Sequence, residues 1–277
     1  MASAIPILKS RFFSVTLVPL KSLIPGDAPT GRFKGATCLR LPLARLLAFA
    51  IALFLGGCYR SAIPPARLVA FGDSITRGYA VPEGAGWVEI MSTRLRSKPG
   101  MSDFTVINAG GNANTSAEGL NRIESDVLVH LPGLVLVEFG GNDAVHDPLR
   151  NKSPDEFEQN LLRTYDLVTK QGGNTVLLTF PPIINNWHGA SSDPYYDKWG
   201  GLDNCVELYR ERTRQLAKRL GCPLFDLDHF LRDLIKKNGP EKYILRDGVH
   251  LTPLANRLVA DALMKFLATL NEVYLLN

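Results

Sequence analysis

The run Leu134-Val135-Leu136-Val137-Glu138-Phe139, closed at once by Gly140-Gly141, constrains this chain more than any other stretch. Its alternate positions are apolar on both sides, so as a strand it must be covered on both faces. Sheets covered that way are parallel, with helices above and below. Other runs that read as strands stand at residues 67–71, 104–108, 175–180 and 223–226. Between them the apolar period switches to that of a helix. Residues 87–96 turn Trp87, Ile90, Met91 and Leu95 to one side, and residues 117–129, 154–171, 206–220 and 254–270 are the other helical stretches. Two of these have well-marked starts: Ser153 caps a helix with Pro154 at its first position and Glu156 at its third, and Thr252 caps one opened by Pro253. Five strand–helix alternations with right-handed crossovers predict one doubly wound, three-layer α/β/α domain over residues 67–277. No internal repeat or second domain is evident.

Charge excludes one class of partner. The 277 residues carry a formal charge of +4, but residues 1–57 hold seven of the 31 Lys/Arg and one of the 27 acids, which leaves 24 bases against 26 acids, net −2. The folded part is not basic, and no nucleic-acid partner is expected. The amino-terminal excess instead reads as export. Arg40 and Arg45 precede an uncharged apolar run at residues 46–55, too short to span a membrane comfortably, and Leu55-Gly56-Gly57-Cys58 follows. This is signal-peptide anatomy, and its last four residues resemble the lipobox of bacterial lipoproteins, in which the Cys is lipidated. Residues 1–57 are thus expected to be leader and signal peptide, Cys58 the lipidation site, and residues 58–66 a tether to an exported, membrane-anchored domain. Residues 1–39 lack periodicity and no Met lies between Met1 and Met91, which points to translation from a non-AUG codon shortly before Arg40.

Export means an oxidising compartment. With Cys38 in the leader and Cys58 acylated, Cys205 and Cys222 are left, with a helix between them. Such a helix holds its ends roughly 20 Å apart, whereas a disulfide requires Cα atoms within about 7 Å. Two free, buried thiols are expected. No cysteines and histidines have zinc spacing, and neither metal nor cofactor is expected.

Two places carry candidate chemistry. In Leu68-Val69-Ala70-Phe71-Gly72-Asp73-Ser74 a buried strand stops at glycine, and Ser74 sits just beyond its carboxyl end, where open α/β sheets bind ligands. Ser74 is a candidate nucleophile, although Gly, Asp and Ser also serve ordinary turns. Asp247-Gly248-Val249-His250 lies in the short loop before the last helix. Residues 183–201 have no period and contain Trp187, His188, Tyr195, Tyr196 and Trp199; they form either a lid and substrate wall or a flap over core.

Four separated pieces together resemble the SGNH or GDSL hydrolases. Gly72-Asp73-Ser74-Ile75 matches their first block, with Ile in place of the usual Leu. Residues 108–120 resemble the second, Gly140-Gly141-Asn142-Asp143 the third, and Asp247-Gly248-Val249-His250 the last. The resemblance covers about residues 67–270 and implies a flavodoxin-like fold with a five-stranded parallel sheet and no cofactor. It also implies a serine esterase or lipase acting on small-molecule or lipid esters, similar to arylesterases, thioesterases and lysophospholipases; carbohydrate or peptidoglycan deacetylation on the same fold is the alternative, and a surface-binding lipoprotein the non-enzyme one. By the same resemblance Ser74 attacks, His250 is its base, and Asp247 orients the imidazole. The Ser74 and Ala113 backbone N–H groups and the Asn142 amide would line the oxyanion hole. Ala113 stands where the family has glycine, with Gly111 as the other candidate, and an alanine serves there if its φ is negative. Asp73 and Asp143 are expected to brace their loops. His130, His146, His188 and His229 are assigned structural or surface roles for want of a partner at matching spacing, with His188 able to line the pocket, and Arg77 is assigned to solvent.

Overall fold

A computed structural model describes residues 67–270, all within the compact unit Arg60–Asn277. The leader, Cys58 and the tether lie outside the described residues. Five strands form one sheet: β1 (Arg67–Gly72), β2 (Thr105–Gly110), β3 (Leu134–Glu138), β4 (Asn174–Leu178) and β5 (Leu224–Phe225). They pair in the order β2-β1-β3-β4-β5, every pairing parallel. All five residues of β3 are buried, as a central strand covered on both faces requires.

The chain leaves β1 for β2 on one side and returns across it to β3 on the other. The carboxyl ends of β1 and β3 therefore flank the topological switch point, where the connecting loops diverge and leave a crevice. Gly72 closes β1 because nothing larger fits: a Cβ there would lie 2.2 Å from Thr76 Oγ1 and 2.5 Å from the Glu138 carbonyl oxygen. The next residues wind into the four-residue helix α1 (Ser74–Arg77), which puts Ser74 at a helix start above the sheet. Helix α2 (Trp87–Arg96) backs that turn, its Trp87 Nε1 donating to the Ile75 carbonyl at 3.1 Å and its Trp87 N–H to Asn256 Oδ1 at 3.0 Å.

The remaining helices are α3 (Ser116–Asp126), α4 (Pro154–Lys170), α5 (Leu202–Leu220), α6 (Leu227–Asn238) and α7 (Pro253–Thr269). Ser153 and Thr115 each close a capping box, with Glu156 and Glu118 respectively, and Thr252 caps α7. Three differences from the sequence reading stand out. Helix α6 was not anticipated, although Leu227, Phe230, Leu231, Leu234 and Ile235 follow a helical period between a capping Asp226 and Gly239. Strand β5 keeps only two residues, because Asp226 is drawn into that cap. Helix α5 starts four residues earlier than expected and so carries Cys205 in its first turn. Cys205 and Cys222 are both free; Cys205 is buried and Cys222 half-buried, and burial pushes each thiol up to about 11. Among the described residues no helix is long and apolar enough to cross a membrane.

Candidate active site

Ser74 reaches the site from the end of β1 and His250 from the loop before α7, 176 residues later. His250 Nε2 lies 2.9 Å from Ser74 Oγ, and His250 Nδ1 lies 2.7 Å from Asp247 Oδ2. The other Asp247 oxygen accepts the Val249 and His250 backbone N–H groups, both at 3.0 Å, so the loop itself orients the carboxylate. Partial burial pushes the Asp247 carboxyl upward, but those two N–H groups and the imidazole outweigh it and hold it below its ordinary value. An ionised Asp247 against Nδ1 places the imidazole proton on Nδ1 and leaves Nε2 free to accept from serine. The Tyr79 ring packs against the His250 ring with centroids 4.6 Å apart.

A second Asp-x-x-His pair stands in the sequence, where His229 was assigned no partner. Asp226 stands three residues before His229, and the two side chains meet at 3.0 Å. That imidazole is 70% exposed at the start of α6 and no part of the pocket wall, so the pair caps a helix and has no serine to act on. His146 also has an acidic partner, Asp193 at 2.8 Å, and stacks on Tyr195; no sequence spacing reveals either contact. His188 does line the pocket. Burial holds its imidazole below the ordinary value, and its Nδ1 accepts the Ala190 N–H at 3.2 Å.

Opposite Ser74, the loops after β2 and β3 meet. Asn142 Nδ2 donates to Asp73 Oδ2 at 3.0 Å and to the Asn114 carbonyl at 3.1 Å. Asp73 also accepts the Ile75 N–H at 2.9 Å, and Asp143 accepts the Ser116 N–H and hydroxyl, so both aspartates brace loops as expected. Burial pushes the Asp143 carboxyl up to about 6. Beneath Asp73, strand β3 ends on the buried Glu138, whose Oε2 accepts from Thr76 Oγ1 at 3.0 Å while Oε1 has no partner. Burial first, and then the Asp73 charge, pushes the Glu138 carboxyl well above its ordinary value. Burial pushes the Asp73 carboxyl up too, to about 7, but the Ile75 and Asn142 N–H groups favour its charged form, so Glu138 is the member that holds its proton more tightly.

Ala113 lines the pocket, but its φ is +61°, not negative as expected. The loop takes the left-handed turn a glycine would take, and the alanine bears the strain. Gly111, the other candidate, has its N–H committed to the Gly72 carbonyl at 2.9 Å. Among the described residues, no hydrogen bond uses the Ala113 N–H.

The pocket encloses about 390 Å³, and Val145, Phe180, Ile183, Leu202 and Val249 give it an apolar wall. Residues 183–201 supply part of this wall and wind into two short 3₁₀ turns, Gly189–Ser192 and Pro194–Trp199, the second burying Tyr196. The fully buried Arg210, silent in the sequence, fixes the wall from behind. It donates to the Phe180 and Pro181 carbonyls at 3.0 and 2.7 Å and pairs with Asp203 at 2.7 Å.

Residues 70–258 match the profile of the GDSL-like Lipase/Acylhydrolase family. The chain belongs to that family. It is an ester-hydrolysing enzyme, and the non-enzyme alternative falls away. The enzyme is 30% identical over 217 residues to the Uncharacterized lipoprotein YqeF of Bacillus subtilis (strain 168), covering 71% of this chain and 87% of that one. It is 29% identical over 197 residues to an Arylesterase of Vibrio mimicus, covering 70% and 84%. With the Thioesterase 1/protease 1/lysophospholipase L1 of Escherichia coli (strain K12) it shares 28% over 203 residues, covering 73% and 84%. Among solved structures, the acetyl xylan esterase AlAXEase superposes with a TM-score of 0.61 at 28% identity, covering 74% of this chain and all of that one.

Proposed function

We propose that the enzyme cleaves carboxylic esters or thioesters through Ser74, His250 and Asp247 by way of an acyl-enzyme. The observation that carries this reading is the continuous chain Asp247 Oδ2, His250, Ser74 Oγ, with contacts of 2.7 and 2.9 Å, opening on an apolar cavity. As the Ser74 oxygen bonds to the substrate carbonyl carbon, its proton passes to His250 Nε2, and Asp247 stabilises the imidazolium. The carbonyl oxygen becomes an oxyanion facing the Ser74 and Ala113 N–H groups and the Asn142 amide. When the tetrahedral intermediate collapses, the bond to the alcohol or thiol breaks and His250 returns its proton to that leaving group. Water, deprotonated by the same imidazole, then releases the acid and regenerates Ser74. The unspent Ala113 N–H, against the committed Gly111 N–H, supports Ala113 as the donor from the loop after β2.

The apolar wall and the 390 Å³ pocket favour an acyl chain well beyond acetyl. Carbohydrate deacetylation is the second reading, on the likeness to AlAXEase. The lipobox-like residues 55–58 and the likeness to a protein named a lipoprotein support residues 1–57 as leader, Cys58 as an anchor and residues 58–66 as a tether to the hydrolase domain at 67–277, exported to the periplasm or cell surface. Intact-mass analysis after a fluorophosphonate, with an ester panel of graded chain length that includes acetylated xylan, tests the catalytic reading. Stoichiometric addition at Ser74, no addition in Ser74→Ala and a preference for longer acyl chains are expected. Full hydrolysis by Ser74→Ala would overturn the triad, and hydrolysis of acetylated xylan alone would favour the second reading.

A further inference from the structure

We infer that Arg150 is a positioning residue that ties together the two loops supplying the oxyanion hole, and thereby sets turnover without touching substrate. The inference rests on the triad reading above. One guanidinium nitrogen, Nη2, donates to the Ala113 carbonyl at 2.7 Å and to Asn142 Oδ1 at 2.6 Å. Ala113 belongs to the loop after β2 and Asn142 to the loop after β3. Arg150 is half-buried behind this junction and does not line the cavity.

Each bond answers a specific need. An amide can present either its oxygen or its nitrogen to the pocket, and only the nitrogen donates to an oxyanion. A cation on Oδ1 fixes the choice, because the flipped amide would press its N–H groups against the guanidinium. Ala113 is held left-handed without glycine's freedom, and a charged donor on its carbonyl holds the peptide that follows. Both Asn142 N–H groups are engaged, with Asp73 and with the Asn114 carbonyl. An oxyanion that recruits Nδ2 displaces the Asn114 bond, which is a direct tie between the two loops. Asp143 still anchors the start of α3 at Ser116, but at Ala113 and Asn142 themselves Arg150 is then the remaining connection.

Arg150→Ala and Arg150→Lys in the full chain test this with a soluble aryl ester. The expected result for Arg150→Ala is a fall of about 10-fold or more in kcat with KM nearly unchanged, since the lost interaction acts in the transition state. Added guanidinium ion should restore part of that kcat, and should not do so in the wild type or in Asn142→Ala. The loss should combine with that of Asn142→Ala to less than the product of the two, because they share the Asn142 amide. Arg150→Lys keeps a donor on a shorter stem and should fall between wild type and alanine; it is also the readout if the alanine variant does not fold. Unchanged kcat in either variant, a change confined to KM, or losses that multiply without guanidinium rescue would overturn the inference. In each of those cases fluorophosphonate labelling of Ser74 would continue and the triad reading would stand. Full activity in Ser74→Ala would instead remove the reading on which the inference rests.

Discussion

Glu138→Gln should flatten the dependence of stability on pH while leaving activity nearly intact. Glu138 is 1% exposed at the end of β3, has one unpartnered oxygen, and faces Asp73 with no cation among the described residues to neutralise the two. Its folded value lies well above the ordinary 4.5, so over the interval between them the native state holds a proton that the unfolded chain has released. The unfolding free energy then falls as pH rises through that interval, by about 1.4 kcal/mol per pH unit for one proton. Glutamine keeps the shape of the carboxyl and has no proton to lose. Asp73, pushed up to about 7 chiefly by burial, and Asp143, pushed up to about 6 by burial, slope the same way in both proteins and cancel in the comparison. Urea unfolding of wild type and Glu138→Gln at pH 5, 6 and 7 should give curves whose slopes differ by about one proton. Parallel curves would mean that Glu138 is ionised in the folded protein, and the assignment of a proton to it would fail.

Asp247→Asn should leave the fold unchanged and lower kcat by up to about 10⁴-fold. With Oδ1 held by the Val249 and His250 N–H groups, the new NH₂ must face Nδ1 and drive the proton to Nε2; normal turnover would point to another orienting group. Ala113→Gly should keep turnover within a few-fold, since the N–H is unchanged, and should stabilise the protein by about 1 kcal/mol by relieving a left-handed alanine. A lower melting temperature in that variant would show that the Cβ packs to advantage.

Much of this molecule was legible because it rests on local chemistry. The apolar run at Leu134 to Phe139, the caps at Ser153 and Thr252, and the glycine that ends β1 act over a few residues, and they place the strands and helices without reference to the rest of the chain. Ser74, Asp247 and His250 stood out for a related reason, at a strand end or just before a helix start whose local pattern is strong, whereas Asn142 was singled out only by the family resemblance. Helix α6 is legible in the same way, in the period of Leu227 to Ile235.

What only the tertiary structure decided are the choices between local equals. Two Asp-x-x-His pairs have the same spacing, and only the strand order brings one of them to a serine 176 residues away. The resemblance places a donor at Ala113 with Gly111 as the alternative, and only the structure shows Gly111 closing the ladder onto Gly72 and the alanine in a left-handed turn. Glu138, Arg150 and Arg210 carry no motif, because a buried charge is defined by what surrounds it. Their partners at Thr76, Ala113 and Phe180 become neighbours only when separate loops and strands converge at one end of the sheet.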